Sequence, residues 1–343
     1  MVSQPALLRK YYRQTLVRAF SLAGFATLMA LAASRLKGLT QARLWRAACT
    51  LACTCALCVY IVNMTYDGPW SPAEALMSSP NAFPIFGHRL LFVWVAKVFR
   101  AAAPASSASR CAYASQIVAA LLAIYAIGRW SALYVGESMS WLGQLLSVIL
   151  ISACLTYRNF YDIGIVFFYT CGLLALYRRK YAWFVIVVSL ATLNHENSLL
   201  LIPLAAFLLY DAEPPRVWVP VVATSLAGHL LVRAALQWLI PFQTHADWRV
   251  WLNMTEPLWS KEMAHTLLAL GGWYALGLMS LWACDKRLRR LLLLFPMLFG
   301  VTFLFGQIHE PRQFNAFIPV LIAVLLSAFR RTLDQEPGVV HCN

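Results

Sequence analysis

The stretch YAWFVIVVSLATLNHENSLLLIPLAAFLLY, from Tyr181 to Tyr210, decides how this chain is organised. Two apolar runs, Tyr181–Leu193 and Ser198–Tyr210, flank Asn194-His195-Glu196-Asn197. A bilayer core asks for about 20 apolar residues per helix, and segments of about 10–14 are more often re-entrant or interfacial. As one broken helix the stretch crosses a membrane once. As a hairpin of two short spans it crosses twice and returns the chain to the side it left.

The flanking charges choose between these. Short basic clusters, Arg35/Lys37/Arg43/Arg46, Arg178/Arg179/Lys180, Lys286/Arg287/Arg289/Arg290 and Arg330/Arg331, separate the apolar runs. Lys and Arg are enriched on the cytoplasmic side of membrane proteins. All four clusters face that side only if the hairpin forms, whereas a single long helix would put Lys286–Arg290 outside. The hairpin is therefore the expectation. Arg9, Lys10 and Arg13 precede the first run and break the pattern, so either Leu16–Ala33 lies in or dips into the interface, or the N-terminus violates the rule.

Composition agrees with a membrane chain. Of 343 residues, 61% are apolar and 12% charged, against about 45–50% and about 25% in soluble domains. So few charges cannot cover a water-soluble fold of this size, which excludes a soluble enzyme, a disordered chain and a disulfide scaffold. The 28 Lys and Arg exceed the 14 Asp and Glu, for a net charge of +14. Because the excess sits between apolar runs, it reads as topology and not as a nucleic-acid surface. The remaining runs are Leu16–Ala33, Ala47–Val62, Ala112–Trp130, Trp141–Tyr157, Ile163–Tyr177, Val217–Ile240, His265–Cys284, Leu291–Phe305 and Asn315–Phe329. The expected fold is all-α, a polytopic transmembrane helical bundle of about 10–11 membrane segments. It forms one integral membrane domain over 1–343, with a first outer loop at 63–110 and a short cytoplasmic tail at 330–343. The first run lacks a convincing small-residue cleavage site and is read as retained. Cys49, Cys53, Cys55 and Cys58 cluster within an apolar run, where Cys is usually a small apolar residue and only rarely a metal ligand.

With this orientation, acids and histidines concentrate on the outer face, where convergent polar groups near membrane depth make a functional-site hypothesis. Asp67, in Asn63-Met-Thr-Tyr-Asp67-Gly-Pro-Trp70, sits where a span meets water and Gly68-Pro69 end the helix. A partly shielded carboxylate there can act as general base to a hydroxyl, or can simply terminate a helix. His88-Arg89 lead into a segment whose cations Arg89, Lys97 and Arg100 share one helical arc, predicting an amphipathic helix in the headgroup plane. Lys97 and Arg100 read as snorkelling side chains, while Arg89 suits bidentate capture of a phosphate. Asp162 opens another span, and His195 and Glu196 form the hairpin tip, where Glu196 serves either a site or a structural pair with an Arg. His309, Glu310 and Arg312 crowd around Pro311 before the last run. Arg312 can clamp an anionic leaving group, or it and Glu310 neutralise each other. Neither His-Glu pair matches a zinc motif, and no cofactor is assigned; a divalent cation bridging Asp67, Glu196 and Glu310 stays open.

Taken together, the acidic first outer loop, His88-Arg89, Asp162 opening a span that ends in Arg178-Arg179-Lys180, the Leu193-Asn-His-Glu-Asn197 hairpin and Glu310-Pro311-Arg312 resemble bacterial multi-pass glycosyltransferases of the GT-C superfamily. The resemblance covers most of the chain from about Asn63 to Phe329 and rests on the order and spacing of motifs. Asn194-His195-Glu196-Asn197 departs from the Asn-Arg-Glu-Thr common in related sequences, with Glu196 matching. The resemblance implies a GT-C-type bundle and an inverting transfer of a sugar from a polyprenyl-phosphate donor to a lipid or glycan acceptor, on the non-cytoplasmic face of a bacterial inner membrane. Asp67 maps to the general base, Arg89 and Arg312 to ligands of the donor phosphate. A lipid-linked donor needs no nucleotide-binding domain, and no Gly-rich phosphate loop is present. The competing expectations are a lipid or polysaccharide transporter or flippase, and a noncatalytic subunit of a surface-polysaccharide machine. Paired halves, usual in transporters, are not visible.

Overall fold

The computed structural model describes residues 39–65, 89–154, 162–240, 254, 272–305 and 311–335. Every regular element among them is helical, and no strand occurs there. In chain order the helices are α1 (Leu39–Thr65), α2 (Leu91–Ala102), α3 (Ala108–Met139), α4 (Trp141–Cys154), α5 (Asp162–Tyr177), α6 (Tyr181–Asn194), α7 (Leu201–Leu209), α8 (Pro215–Leu239), α9 (Gly272–Met279), α10 (Lys286–Leu291), α11 (Leu294–Phe305) and α12 (Ile318–Gln335). Among the described residues four helical stretches, Arg110–Met139, Pro215–Leu239, Lys286–Phe305 and Gln313–Asp334, are long and apolar enough to cross a membrane. The chain is a helical membrane protein.

The bundle is organised around α3, which packs on α1, α2, α4, α5 and α12. Central burial in such a helix requires a large polar-tipped side chain to find a partner. Trp130 is fully buried and donates its indole N–H to the Pro319 carbonyl at 2.8 Å. Its ring meets Tyr134 and Tyr177 edge-on, with centroids 5.1 and 4.9 Å away.

The 181–210 stretch forms the expected hairpin. Its helix breaks after Asn194, turns through a 3₁₀ segment at Glu196–Leu200 and continues as α7. Asn194-His195-Glu196-Asn197 supplies its own local bonds for the break: the Asn197 N–H donates to His195 Nδ1 at 3.1 Å. The two far ends of the hairpin meet, because Tyr181 donates its hydroxyl to Glu213 Oε1 at 2.7 Å just beyond α7.

That meeting point belongs to one basic end of the bundle. Arg287 donates to the Leu176 carbonyl at 3.1 Å and lies 4.1 Å over the Tyr177 ring. Asp211 pairs with Arg290 and, at 3.0 Å, with Lys286. Arg331 donates to the Trp282 carbonyl at 2.9 Å. Arg46 pairs with Glu137, which lies one turn past Tyr134 on α3. Arg179 pairs with Glu213 at 3.2 Å, so members of all four basic clusters gather at the same end.

The amphipathic segment is α2. It buries Phe92, Val93 and Ala96 against the bundle and exposes Arg100. Arg89 is not on its arc as expected: the helix starts at Leu91 and Arg89 precedes it, turned inward and buried. The Leu90 N–H bonds the Leu193 carbonyl at 2.9 Å, which ties this segment to the hairpin tip.

Candidate functional site

The site is built where α2, α5 and α6 end together, away from the basic end. The Leu90–Leu193 backbone bond places Arg89 beside the hairpin tip. Arg89 then takes Glu196 in a fork: Nε donates to Oε2 at 3.1 Å and Nη2 donates to Oε1. Only the planar guanidinium can make both bonds at once, which favours Arg over Lys. Arg89 is 9% exposed, while the Glu196 side chain keeps an open flank at 43%.

Burial pushes the Glu196 carboxyl up, but the Arg89 charge beside it outweighs this and holds it well below the usual carboxylate range. Glu196 is therefore ionised at neutral pH. His195 Nδ1 stands 3.8 Å from Glu196 Oε2. Because this nitrogen accepts from the Asn197 N–H, it has no proton to offer the carboxylate. The neutral ring carries its proton on Nε2.

Asp162 and Asn194 complete this end. They are 2% and 1% exposed. Asp162 opens α5, where the helix N-terminus favours a carboxylate. Two residues on, Gly164 lets α6 approach: a Cβ there would stand 2.6 Å from Asn194 Oδ1 and 2.3 Å from Phe92. Tyr169, one turn deeper, donates its hydroxyl to the Asn197 carbonyl at 2.5 Å. Four segments distant in sequence are thereby held within a few side chains of one another.

Of the sequence candidates, the structure brings Arg89, His195 and Glu196 together and places Asp162 two residues before Gly164, which packs on Asn194. Asp67, His88, His309 and Glu310 lie outside the described residues. The backbone of Arg312 lies in a 3₁₀ segment, Pro311–Phe317, that packs on α4, α5 and α11. The alternative in which Glu196 pairs with an Arg is the arrangement found, and its partner is Arg89. Among the described residues no three His, Cys, Asp or Glu side chains cluster to hold a metal.

Sequence reasoning missed three residues. Asn315 is 1% exposed, with neither side-chain nitrogen nor oxygen hydrogen-bonded to another described residue. His229 reaches from α8 to the hairpin tip, its Nδ1 2.9 Å from Thr192 Oγ1 and 3.4 Å from Ser198 Oγ. Arg233 follows one turn later, half-buried. A signal existed for these two, a His and an Arg four apart inside the apolar run Val217–Ile240, where ionisable groups are costly. For Asn315 there was none, since a polar residue beside a loop is ordinary. Protein-family models, curated proteins and solved structures were each compared with this chain, and none matches it.

Proposed function

We propose that the chain is a GT-C-type glycosyltransferase of the bacterial inner membrane, with about 10–11 membrane segments and its site on the periplasmic or exterior face. It moves a sugar from a polyprenyl-phosphate donor to a lipid or glycan acceptor. The observation that carries this reading is the Arg89–Glu196 fork beside buried Asp162 and Asn194, at the end of a membrane bundle opposite the clustered cations. Polar groups gathered at one end of an apolar bundle are expensive, which supports a functional reading of the cluster beside its structural pairing.

The chemistry follows from a donor that presents its phosphate at the headgroup plane. The acceptor hydroxyl attacks the anomeric carbon from the face opposite the phosphate, forming one C–O bond as the other breaks with inversion. The bonding pair leaves with the lipid phosphate, and the hydroxyl proton passes to a carboxylate, assigned to Asp67. Cationic side chains stabilise the charge growing on the leaving phosphate. Arg89, oriented by Glu196, and Arg312 take that role. His88, His195, Asp162, His309 and Glu310 are assigned to substrate contact.

A lipid flippase is the competing reading, favoured by the break between α6 and α7, since transporters bind cargo at interrupted helices. One experiment separates the two. Full-length protein in proteoliposomes is supplied with a polyprenyl-phosphate sugar and a lipid acceptor, and covalent product is followed. Transfer that falls about 100- to 10,000-fold in Asp67→Asn supports the enzyme and its base. Undiminished transfer removes Asp67, and lipid movement without any product overturns the enzyme reading.

A further inference from the structure

Helix α8 is the long helix whose buried face is narrowest, reduced to Val221, Ser225, His229 and Leu236. The first three lie four residues apart, and Arg233 continues the row by one more turn. This stripe therefore runs polar for its last three positions along a transmembrane helix. Ser225 Oγ is fully buried and has no hydrogen-bond partner among the described residues. Arg233 is half-buried with no hydrogen bond and no carboxylate in ion-pair range among the described residues. A guanidinium inside a span is normally paired or solvated in a cavity.

Proton accounting defines what His229 offers. The Thr192 hydroxyl donates to the Val188 carbonyl at 2.8 Å, one helical turn back. Its hydrogen is thus spent, and at 2.9 Å the His229 Nδ1–H is the donor to Thr192 Oγ1. A neutral ring in this tautomer leaves Nε2 as an acceptor, and a protonated ring makes Nε2 a second donor. The ring also sits beside the candidate site: Ser198, two residues after Glu196, is 3.4 Å away, and both Glu196 and Arg233 act on it electrostatically.

Arg89, by contrast, is already committed to Glu196 through two bonds. Among the described side chains near the hairpin tip, a phosphate meets Arg89, neutralised by Glu196, and Arg233, which has no carboxylate partner. Beside that second arginine, α8 turns Leu226, Leu230 and Leu231 outward as a continuous apolar face.

We propose that Arg233 and His229 form a subsite for the phosphate of a phosphate-bearing lipid, seated between α8 and the Glu196–Leu200 turn with the lipid chain along Leu226 and Leu230. The inference rests on the reading that the substrate is a lipid phosphate, and it moves the main phosphate contact from Arg89 to Arg233. Arg233 supplies the charge and two parallel donors, and His229, its ring protonated beside the bound anion so that Nε2 becomes a donor, the second, orienting contact. Glu196, held by Arg89, repels a phosphate placed too close to the hairpin tip and so sets the register.

The experiment is binding, so that it does not depend on sugar transfer. Full-length protein in phosphatidylcholine nanodiscs is titrated with a polyprenyl monophosphate, followed by tryptophan fluorescence. Polyprenol, inorganic phosphate and phosphatidylglycerol are run as separate arms. The expected result is saturable binding of the polyprenyl phosphate alone. Arg233→Gln should weaken it about tenfold or more, the size expected for lost charge-assisted bonds. His229→Gln should weaken it several-fold, while Arg233→Lys, which keeps the charge, retains most of it. Wild-type affinity in Arg233→Gln overturns the subsite. Equal displacement by phosphatidylglycerol overturns it too, showing Arg233 to be a headgroup anchor, and equal binding of inorganic phosphate removes the role of the lipid chain. Retained binding in the absence of any sugar transfer leaves the subsite standing and brings down the glycosyltransferase reading alone.

Discussion

At Arg89 two guanidinium N–H groups serve a single carboxylate, and the consequences can be counted. Because the folded Glu196 carboxyl is held below its ordinary value of 4.5, its pairing stabilises the fold fully above that value. The contribution fades as pH falls toward the lowered folded value. Glu196→Gln removes the charge and keeps the shape, leaving a mostly buried Arg89 with a weaker partner. The expected cost is about 1–3 kcal/mol at pH 7, read as a lower midpoint of thermal unfolding in detergent, with the gap to wild type narrowing in acid. A gap independent of pH between 7 and 3 would show that the pair contributes nothing electrostatic. Arg89→Lys should cost nearly as much as Arg89→Met, since an ammonium cannot fork onto both oxygens. Equal stability of Arg89→Lys and wild type would contradict that geometry.

At the scale of the element, the crossing of α5 and α6 depends on one missing side chain. A Cβ at Gly164 would stand 2.3 Å from Phe92 and 2.6 Å from Asn194 Oδ1, closer than any tolerated contact. Gly164→Ala must displace the Phe92 ring and the Asn194 amide, the side chain next to the Glu196 turn. The mutant is expected to lose function well beyond its loss of folded protein. Overpacking of this kind costs about 1–3 kcal/mol in stability, while a displacement of about 1 Å at a reacting centre can cost about 100-fold in rate. The measurement is transfer per mole of monodisperse protein, and unchanged specific activity would show that the site does not depend on this crossing. By contrast the break between α6 and α7 was readable beforehand, because four polar residues between two runs too short to span alone leave the backbone little choice but to turn.

Over the whole molecule, charge is sorted by end. Hydrogen bonds from Arg290 and Lys286 hold the Asp211 carboxyl below its ordinary value, and Arg287 and Arg331 cap neighbouring carbonyls at the same end. Lys180→Cys and Lys286→Cys should then react with an impermeant thiol reagent from one side of the membrane, and Ala105→Cys, in the loop between α2 and α3, from the other. Labelling of the two lysine positions from opposite sides would refute the hairpin topology. This sorting was legible in the sequence because basic clusters, apolar run lengths and polar interruptions are local properties, each written within about 20 residues. Helicity, the membrane environment, the hairpin and the candidacy of Arg89, Asp162, His195 and Glu196 could all be read that way. Pairing could not. Whether Glu196 meets a substrate or an arginine, that Arg89 leaves the arc of its own helix, and that His229 of α8 reaches Thr192 and Ser198 all depend on which helix faces which. That choice is made by packing between segments about 30 to 100 residues apart, where closeness in space follows from shape and buried area and from no pattern along the chain.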